Sequence, residues 1–246
     1  MVDIYEIADG VFGLTEYLPE NSISVSSFLI AGKAPVLIET GTPYLANGFL
    51  RLIGDMVSLE STSHIMITHE HLDHLGGLPE YVSEAYNASV VAHNFLKVQL
   101  GFMGVVRGIT PVNGGETIPL GSRRMEVIYA PIETTGTVVY LLQPDGILFS
   151  GDYFGQLGQK KAAQAAGSPT ERLVHDIMVL HEGLGYSKEN IKKYLAPLGK
   201  KNIKMIAPSH GSLIKDNVDE VIDRVVKTRL DSRGTPAMQK RMDWRC

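Results

Sequence analysis

The chain has 246 residues and is 44% hydrophobic, which suffices for the core of one large α/β domain or two small ones. Its net charge of -4 and sequence pI near 6.1 argue against a nucleic-acid partner. We expect no membrane association, because no apolar run approaches the roughly 20 residues that cross a bilayer. The N-terminus does not resemble a signal peptide and the only cysteine is Cys246, so we expect a cytoplasmic location.

Short runs typical of β-strands recur along the chain, with helical patterns between them. The predicted strands lie at residues 24–30, 35–39, 64–68, 88–92, 124–129, 137–142, 146–150 and 203–207. Apolar spacing predicts helices at Leu50, Ile53 and Val57, over residues 78–86, and at Ile191, Leu195 and Leu198. A further helix is predicted over residues 216–230, capped by Asp216 or Asn217.

Strands mixed with helices over the whole length predict an α/β (α+β) fold. We expect a single domain over residues 1–246, with a mobile C-terminal tail from about residue 229 to residue 246. Residues 156–170, rich in Ala, Gly and Gln, predict a mobile loop.

Residues 68–74 carry the strongest functional signal in the sequence. His69, His71, Asp73 and His74 directly follow the apolar run of residues 65–67, so several metal ligands stand at one strand end. Imidazoles at alternate positions, followed by an adjacent carboxylate and imidazole, suit two metal ions rather than one. The alternative is a solvated polar loop.

Three later polar residues also follow predicted apolar strands. They are Glu133, Asp152 and His210, after the strands that end near residues 129, 150 and 207. The carboxyl ends of strands are where α/β sheets usually build their sites, so these residues and the histidine cluster are candidates to converge on one point.

These motifs together resemble the metallo-β-lactamase superfamily. The resemblance rests on His-x-His-x-Asp-His at residues 69–74, Phe-Ser-Gly-Asp at 149–152 and Ala-Pro-Ser-His-Gly at 207–211. It implies a four-layer αβ/βα sandwich with the metals at one edge, between two sheets. The segment Val-Leu-Ile-Glu-Thr-Gly at residues 36–41 fits as well. Its Glu39 stands where the family usually has Asp and is a candidate for orienting a ligand histidine.

The resemblance also implies a set of metal ligands. Metal one would take His69, His71 and Glu133, and metal two would take Asp73, His74 and His210, with Asp152 bridging the two. Glu133 stands where the family normally offers a histidine. The alternative is that Glu133 is a plain loop carboxylate beside a depleted metal site.

Two branches of the superfamily fit different parts of this pattern. Zinc hydrolases resemble the cluster but keep the later histidine. Flavodiiron proteins usually place Glu at the third position of the cluster, where this chain has His71, and keep a histidine where it has Glu133. The residues at 149–156 and 204–211 also resemble flavodiiron segments. Carboxylate oxygens favour iron or manganese over zinc, so two metal ions are expected, iron first, with zinc or manganese as alternatives. Full flavodiiron proteins carry a C-terminal flavodoxin domain with FMN, which this sequence does not show, so no flavin is expected in this chain.

Two functions follow from these branches. The first is a non-haem diiron protein that binds or reduces oxygen or nitric oxide, with an external electron donor or as a sensor. The second is a binuclear hydrolase of a thioester, lactone or phosphoester, in which Asp73 would orient the attacking water as a catalytic residue. A fold relic with a degraded site is the third alternative. A homodimer is compatible with each of them.

The remaining candidate residues are given structural roles. His64, His93, His175 and His181 lack a partner at metal-ligand spacing. A core or surface role is expected for His93, and a surface position or one behind the ligands for His175 and His181. Glu70 should point away from the metals, and Tyr153 should serve packing.

Overall fold

Two β-sheets face each other in the computed structural model, which describes residues 2–105, 108–157 and 169–228. The first sheet has the strand order β1 (Asp3–Ala8), β2 (Val11–Leu18), β3 (Ile23–Ile30), β4 (Val36–Ile38), β5 (His64–Met66), β6 (Ser89–His93) and β7 (Ile109–Val112). Strands β1 to β4 pair antiparallel, whereas β4 to β7 pair parallel. The parallel half needs helical crossovers, which lie between its strands in the sequence.

The second sheet has five strands, and neighbours in the sheet are consecutive in the chain. From one edge to the other these are β12 (Met205–Ala207), β11 (Ile147–Phe149), β10 (Val138–Gln143), β9 (Arg123–Tyr129) and β8 (Thr117–Leu120). Only β11 and β12 pair parallel in this sheet. Their carboxyl ends therefore point the same way.

Seven helices accompany the sheets in the described residues. They are α1 (Pro43–Gly54), α2 (Leu72–Leu75), α3 (Leu78–Glu84), α4 (Lys97–Phe102), α5 (Thr170–Gly183), α6 (Lys188–Leu195) and α7 (Val218–Lys227). In the described parts of the chain, none of them is both long and apolar enough to cross a membrane.

Successive side chains of a strand point to opposite faces of its sheet. One apolar face of each sheet therefore packs against the other sheet, and the opposite face packs against helices. Between the sheets, Phe28 packs on Phe149 with ring centroids 5.1 Å apart, and Tyr140 is fully buried in the same cluster. The next residue in β10, Leu141, faces the other way and packs in the cluster formed by α5, α6 and α7. On the outer face of the first sheet, Leu37 packs in the cluster that contains α1 and α3. These layers form the predicted αβ/βα sandwich.

Several element boundaries differ from the sequence predictions. Helix α1 ends at Gly54, so the predicted helical position Val57 lies beyond it. Leu198 lies in a 3-10 turn after α6. Asn217, one of the two predicted cap positions, is the N-cap residue of α7 with φ of 52°, but its side chain makes no capping hydrogen bond. The negative charges of Asp219 and Glu220 in its first turn stabilise the N-terminus of this helix instead.

Four strands were absent from the prediction: β1, β2, β7 and β8. β1 carries exposed acidic residues, and β7 and β8 each contain a proline, which weakens the strand signal. Of the predicted mobile loop, residues 158–168 lie outside the described residues, as does the predicted tail at 229–246. That residues 1–246 form one domain stays a prediction.

Candidate metal centre

Four strand ends meet at one edge of the two sheets, as the sequence predicted. His69 follows β5 in the first sheet, and Glu133, Asp152 and His210 follow β9, β11 and β12 in the second. A backbone hydrogen bond of 3.0 Å from Val138 to Thr68 joins the sheets beside this point. The seven predicted ligands lie in two groups at this edge.

The first group contains His69, His71, Glu133 and Asp152, and its ligand atoms all lie within 4.8 Å of one another. His69 Nε2 lies 3.1 Å from His71 Nδ1 and 3.6 Å from Glu133 Oε2. His71 Nδ1 lies 3.0 Å from Glu133 Oε1. Glu133 therefore lies between two imidazole nitrogens, where the sequence analysis placed a third ligand.

The second group contains Asp73, His74 and His210, again with ligand atoms within 4.8 Å. His210 Nε2 lies 3.1 Å from Asp73 Oδ2, and His74 Nε2 lies 3.8 Å from Asp73 Oδ1. Helix α2, which is only four residues long, carries both Asp73 and His74.

Asp152 lies between the two groups and offers one oxygen to each. Its Oδ1 is 2.9 Å from His74 Nε2 and 3.3 Å from His210 Nε2. Its Oδ2 is 3.9 Å from His69 Nε2. This geometry suits a carboxylate that bridges two cations, the role that the resemblance implied.

Burial and mutual charge set the protonation of these side chains. Burial lowers the pKa of His69 to about 4, and the charge of His74 acts in the same direction. For His210, burial lowers the pKa, but the carboxylates of Asp152 and Asp73 outweigh it and raise the pKa to about 10. Burial opposes ionisation of Asp152, yet His74 and His210 hold its pKa well below the usual range. The buried anion thus needs a positive partner, which a proton or a metal ion can provide.

Hydrogen bonds on the far sides of His210 and His69 direct the other ring nitrogen of each into the two groups. His210 Nδ1 donates to the Ser24 carbonyl at 2.7 Å, which directs Nε2 to Asp73 and Asp152. Thr68 donates to Glu39 Oε1 at 2.5 Å, so its oxygen accepts from His69 Nδ1 at 3.0 Å. His69 Nε2 then carries the lone pair that faces the first group. Metal-bound histidines are usually held in this way.

Unpartnered buried atoms in the two groups test whether a metal would fit. Among the described residues, His74 Nε2, Glu133 Oε1 and Asp152 Oδ1 are buried without a hydrogen-bond partner. Such atoms are costly unless they are satisfied by a cation, a proton or water. Glu133 Oε1 faces His71 Nδ1 in the first group, and Asp152 Oδ1 faces His74 Nε2 in the second. The donor set therefore fits metal ions in both groups.

Glu39 lies behind both groups. Its Oε1 accepts from Thr68, which holds His69, and lies 3.4 Å from His74 Nδ1. Its backbone has φ of 61°, a conformation uncommon for a residue with a side chain, and Ser27 donates to its carbonyl. Glu39 therefore lies next to His74 directly and is linked to His69 through Thr68.

Tyr186 is the neighbour of the site that the sequence analysis missed. Its hydroxyl donates to Glu133 Oε2 at 2.6 Å, although the two residues are 53 positions apart. Burial, together with the charges of Asp152 and Glu133, raises the pKa of Tyr186, so the phenol keeps its proton. Tyr153 is buried nearby, donates to the Ala130 carbonyl and accepts from Ile132 N–H at 3.1 Å. Its expected packing role thus includes holding the loop that carries Glu133.

Other candidate residues lie outside the two groups. Glu70 Oε2 accepts from Thr134 at 2.6 Å, away from the ligand atoms, as expected. His93 is buried and stacks on Tyr129 with centroids 4.9 Å apart. His181 is also buried, and its Nε2 donates to the Tyr153 carbonyl at 2.7 Å. The expected surface position of His181 is therefore wrong, and the other expectation, a position behind the ligand groups, is confirmed.

Two more histidines lie near the surface. His64 is half-buried and its Nδ1 lies 2.9 Å from Ser63 Oγ, whereas His175 is exposed on α5. Neither belongs to either group of possible ligands within the described residues.

The site opens to solvent on one side. The side chain of His71 is 48% exposed and that of Asp73 is 24% exposed, whereas His69 and His74 are fully buried. Leu72, between the two accessible residues, is 59% exposed. A small molecule would reach the ligand atoms from this side.

The sandwich and its edge site define a class of metal-binding αβ/βα proteins. The chain belongs to the metallo-beta-lactamase superfamily, whose family model matches residues 22–210. A mutant of the flavo di-iron protein from Thermotoga maritima aligns with a TM-score of 0.80 and 25% identity, over 92% of this chain and 62% of that one. The flavodiiron protein from Giardia intestinalis aligns with a TM-score of 0.82 at 20% identity, over 92% of this chain and 59% of that one, which shows the fold alone.

Curated relatives come from both branches. An anaerobic nitric oxide reductase flavorubredoxin from Aliivibrio fischeri is 25% identical over 91% of this chain and 46% of its own length. A hydroxyacylglutathione hydrolase from Maricaulis maris is 33% identical over 45% of this chain and 40% of its own length. The chain thus spans half or less of the length of these two relatives. The resemblance to flavodiiron proteins is confirmed at the level of family and fold.

Proposed function

We propose that this chain is a non-haem diiron protein that binds or reduces oxygen or nitric oxide. The observation that carries the proposal is the position of Glu133, whose carboxylate lies 3.0 Å from His71 Nδ1 and 3.6 Å from His69 Nε2. With Glu133, the two groups hold three carboxylates and four histidines. Hard oxygen donors favour iron or manganese over zinc.

The proposed ligands divide as the two groups do. His69, His71 and Glu133 would hold metal one, while Asp152 would bridge. Metal two would be held by Asp73, His74 and His210. Two bound iron ions would supply the electrons and the open coordination positions that oxygen or nitric oxide needs. We propose that these electrons are replenished by an external electron donor.

The side chains of the site would neutralise the charge of the metals and would leave a path for a small ligand. The carboxylates of Glu133, Asp152 and Asp73 offset most of the charge of two divalent ions and favour a more oxidised pair. The exposed side of His71 gives a small ligand a route to the site. Burial of His69 and His74 limits entry of water from behind.

A direct test is gas consumption by protein loaded with ferrous iron under anaerobic conditions. Supplied with a chemical reductant, this protein should consume oxygen or nitric oxide, or bind one of them stoichiometrically. An Asp152→Asn variant, which loses the bridging charge, should do so far more weakly. Neither binding nor consumption by fully iron-loaded wild-type protein would overturn the proposal.

The alternative is a binuclear hydrolase of a thioester, lactone or phosphoester. It is supported by His71 at the third position of the cluster and by the partial match to hydroxyacylglutathione hydrolase. In that reaction Asp73 would orient the attacking water while the metals polarise the substrate. Cleavage of a generic thioester, lactone or phosphoester by zinc-loaded protein, with loss in Asp73→Asn, would favour this alternative.

A further inference from the structure

We propose that Tyr186 is a positioning residue that occupies one oxygen of Glu133, so that the other oxygen alone binds a metal. The Tyr186 hydroxyl donates to Glu133 Oε2 at 2.6 Å. Glu133 Oε1 is buried without a hydrogen-bond partner among the described residues and lies 3.0 Å from His71 Nδ1. The inference rests on the proposed function only in requiring a metal beside Glu133, whichever metal that is.

For a carboxylate ligand, the protein must determine how many of its oxygens bind the metal, whereas an imidazole raises no such question. An imidazole presents one nitrogen to a metal, whereas both oxygens of a carboxylate can bind the same ion. A hydrogen bond from a phenol to a carboxylate is charge-assisted and among the stronger ones in proteins. Held by Tyr186, Glu133 would act as a one-oxygen ligand and leave a further coordination position open at metal one.

The position of Tyr186 is fixed by the end of helix α5. Gly185 has φ of +71°, and its N–H donates to the Glu182 carbonyl at 3.1 Å. The N–H of Tyr186 donates to the His181 carbonyl at 2.9 Å. These two bonds and the left-handed glycine form a Schellman motif, which sets the direction in which the chain leaves the helix.

The ring of Tyr186 is also held by its neighbours. It lies edge-on to the ring of Tyr153, with ring centroids 5.8 Å apart. The ring centroid of His181 lies 5.0 Å from that of Tyr186. Tyr153 in turn bonds to the backbone of the loop that precedes Glu133. The hydroxyl and its acceptor are thus positioned by the protein itself, which is the arrangement a precise metal site requires.

The test uses the full-length chain, stripped of metal and titrated with Co²⁺, whose visible spectrum reports the number of ligands. Tyr186→Phe keeps the ring and removes the hydroxyl. We expect weaker Co²⁺ binding, by roughly 10-fold to 100-fold, as for other residues that orient metal ligands. We also expect a changed visible spectrum, because Glu133 can then use both oxygens. Tyr5→Phe, which removes a hydroxyl that bonds to Thr15 rather than to a member of either ligand group, should leave the spectrum unchanged.

A double-mutant cycle with Glu133→Gln separates a specific effect from a general one. If Tyr186 acts through Glu133, then Tyr186→Phe should change neither affinity nor spectrum further in the Glu133→Gln background. An equal loss in both backgrounds, or an unchanged affinity and spectrum in Tyr186→Phe alone, would overturn the inference. Circular dichroism of the variants checks folding.

The result is independent of the choice between iron and zinc. If the native metal is zinc, the diiron proposal fails, but the Co²⁺ experiment still decides the role of Tyr186. A wild-type chain that binds no Co²⁺ would contradict the metal site itself and, with it, this inference.

Discussion

Glu133 is the residue that distinguishes the first group of this site, because the family normally has a histidine at its position. Glu133 contacts both histidines of the first group, and its Oε1 is buried without a hydrogen-bond partner in the described part of the chain. The identity of this residue should therefore set the metal preference of the first group, because imidazole and carboxylate differ in hardness.

Replacing Glu133 with histidine should change metal selectivity without emptying the site. We expect Glu133→His to retain two metals and to take up more zinc than wild type from an equal mixture of Fe²⁺ and Zn²⁺ under anaerobic conditions. Elemental analysis after removal of free metal measures the ratio. Glu70→His, which adds an imidazole beside the cluster but away from the ligand atoms, is the control. Selectivity equal to that of wild type would show that Glu133 is not a ligand.

Glu39 should affect both groups of ligands, because it reaches His69 through Thr68 and His74 directly. Glu39→Gln removes the negative charge while keeping the size of the side chain. We expect metal affinity to fall by roughly 10-fold to 100-fold, measured by competition with a chelating dye. The matched control is Glu70→Gln, whose carboxylate accepts from Thr134 instead. Equal affinities in the two variants would contradict this role.

At the scale of residues, the sequence was sufficient to predict which seven side chains come together in the two groups, because each lies at a strand end or in a recognisable motif. That they bind metals, and that Glu39 orients them, stay predictions. Tyr186 was missed because nothing in the sequence links it to a carboxylate 53 positions earlier. The only local signal was Gly185, which marks a helix end. The surface position considered for His181 was wrong, because helical spacing does not show which neighbour covers a polar side chain.

At the scale of elements, strand β10 joins the two sheets through one side chain. The hydroxyl of Tyr140 donates to the carbonyls of Ile67 and Val91, at 2.8 Å and 3.2 Å. Both acceptors belong to the first sheet or the segment that follows it, and Tyr140 is fully buried. One acceptor, Ile67, stands two residues before His69 in the chain.

Removing that hydroxyl should destabilise the sandwich. We expect Tyr140→Phe to lower the free energy of unfolding by about 1–2 kcal/mol, since it leaves buried carbonyl oxygens with weaker partners. Urea unfolding of the metal-free protein measures the change. Tyr44→Phe is the control, because Tyr44 is 95% exposed, and it should change stability by less than about 0.5 kcal/mol. Equal stability of the two variants would refute the contribution of this bond.

Elements were predicted best where apolar residues form a continuous run. The strands β4, β10 and β11 are such runs, and all were anticipated. The edge strand β1 and the proline-containing β7 and β8 were not, because their stability comes from pairing with neighbours rather than from their own composition. The end of α1 was placed too late, since an apolar residue packed after a helix resembles a further turn.

At the scale of the whole molecule, the site connects the two sheets. His69 and His74 follow the first sheet, whereas Asp152 and His210 follow the second. A metal bound by residues from both sheets can be held only when the sheets are packed together. Metal binding should therefore stabilise the folded state over the unfolded one.

Removing the metals should lower the thermal stability of the whole chain. At a free metal concentration of 100 times Kd, one site contributes about 2.7 kcal/mol to the free energy of unfolding. We expect a chelator to lower the melting temperature and added metal to restore it, as measured by differential scanning calorimetry. An unchanged melting temperature in a sample shown to have lost its metal would contradict this coupling.

The metal content of the native protein tests the diiron proposal most directly. The chain should be purified under anaerobic conditions, its iron, zinc and manganese quantified, and its visible spectrum followed as oxygen is admitted. We predict two iron ions per chain, one for each group of ligands, and a spectral change on exposure to oxygen. Two zinc ions and an unchanged spectrum would contradict the proposal.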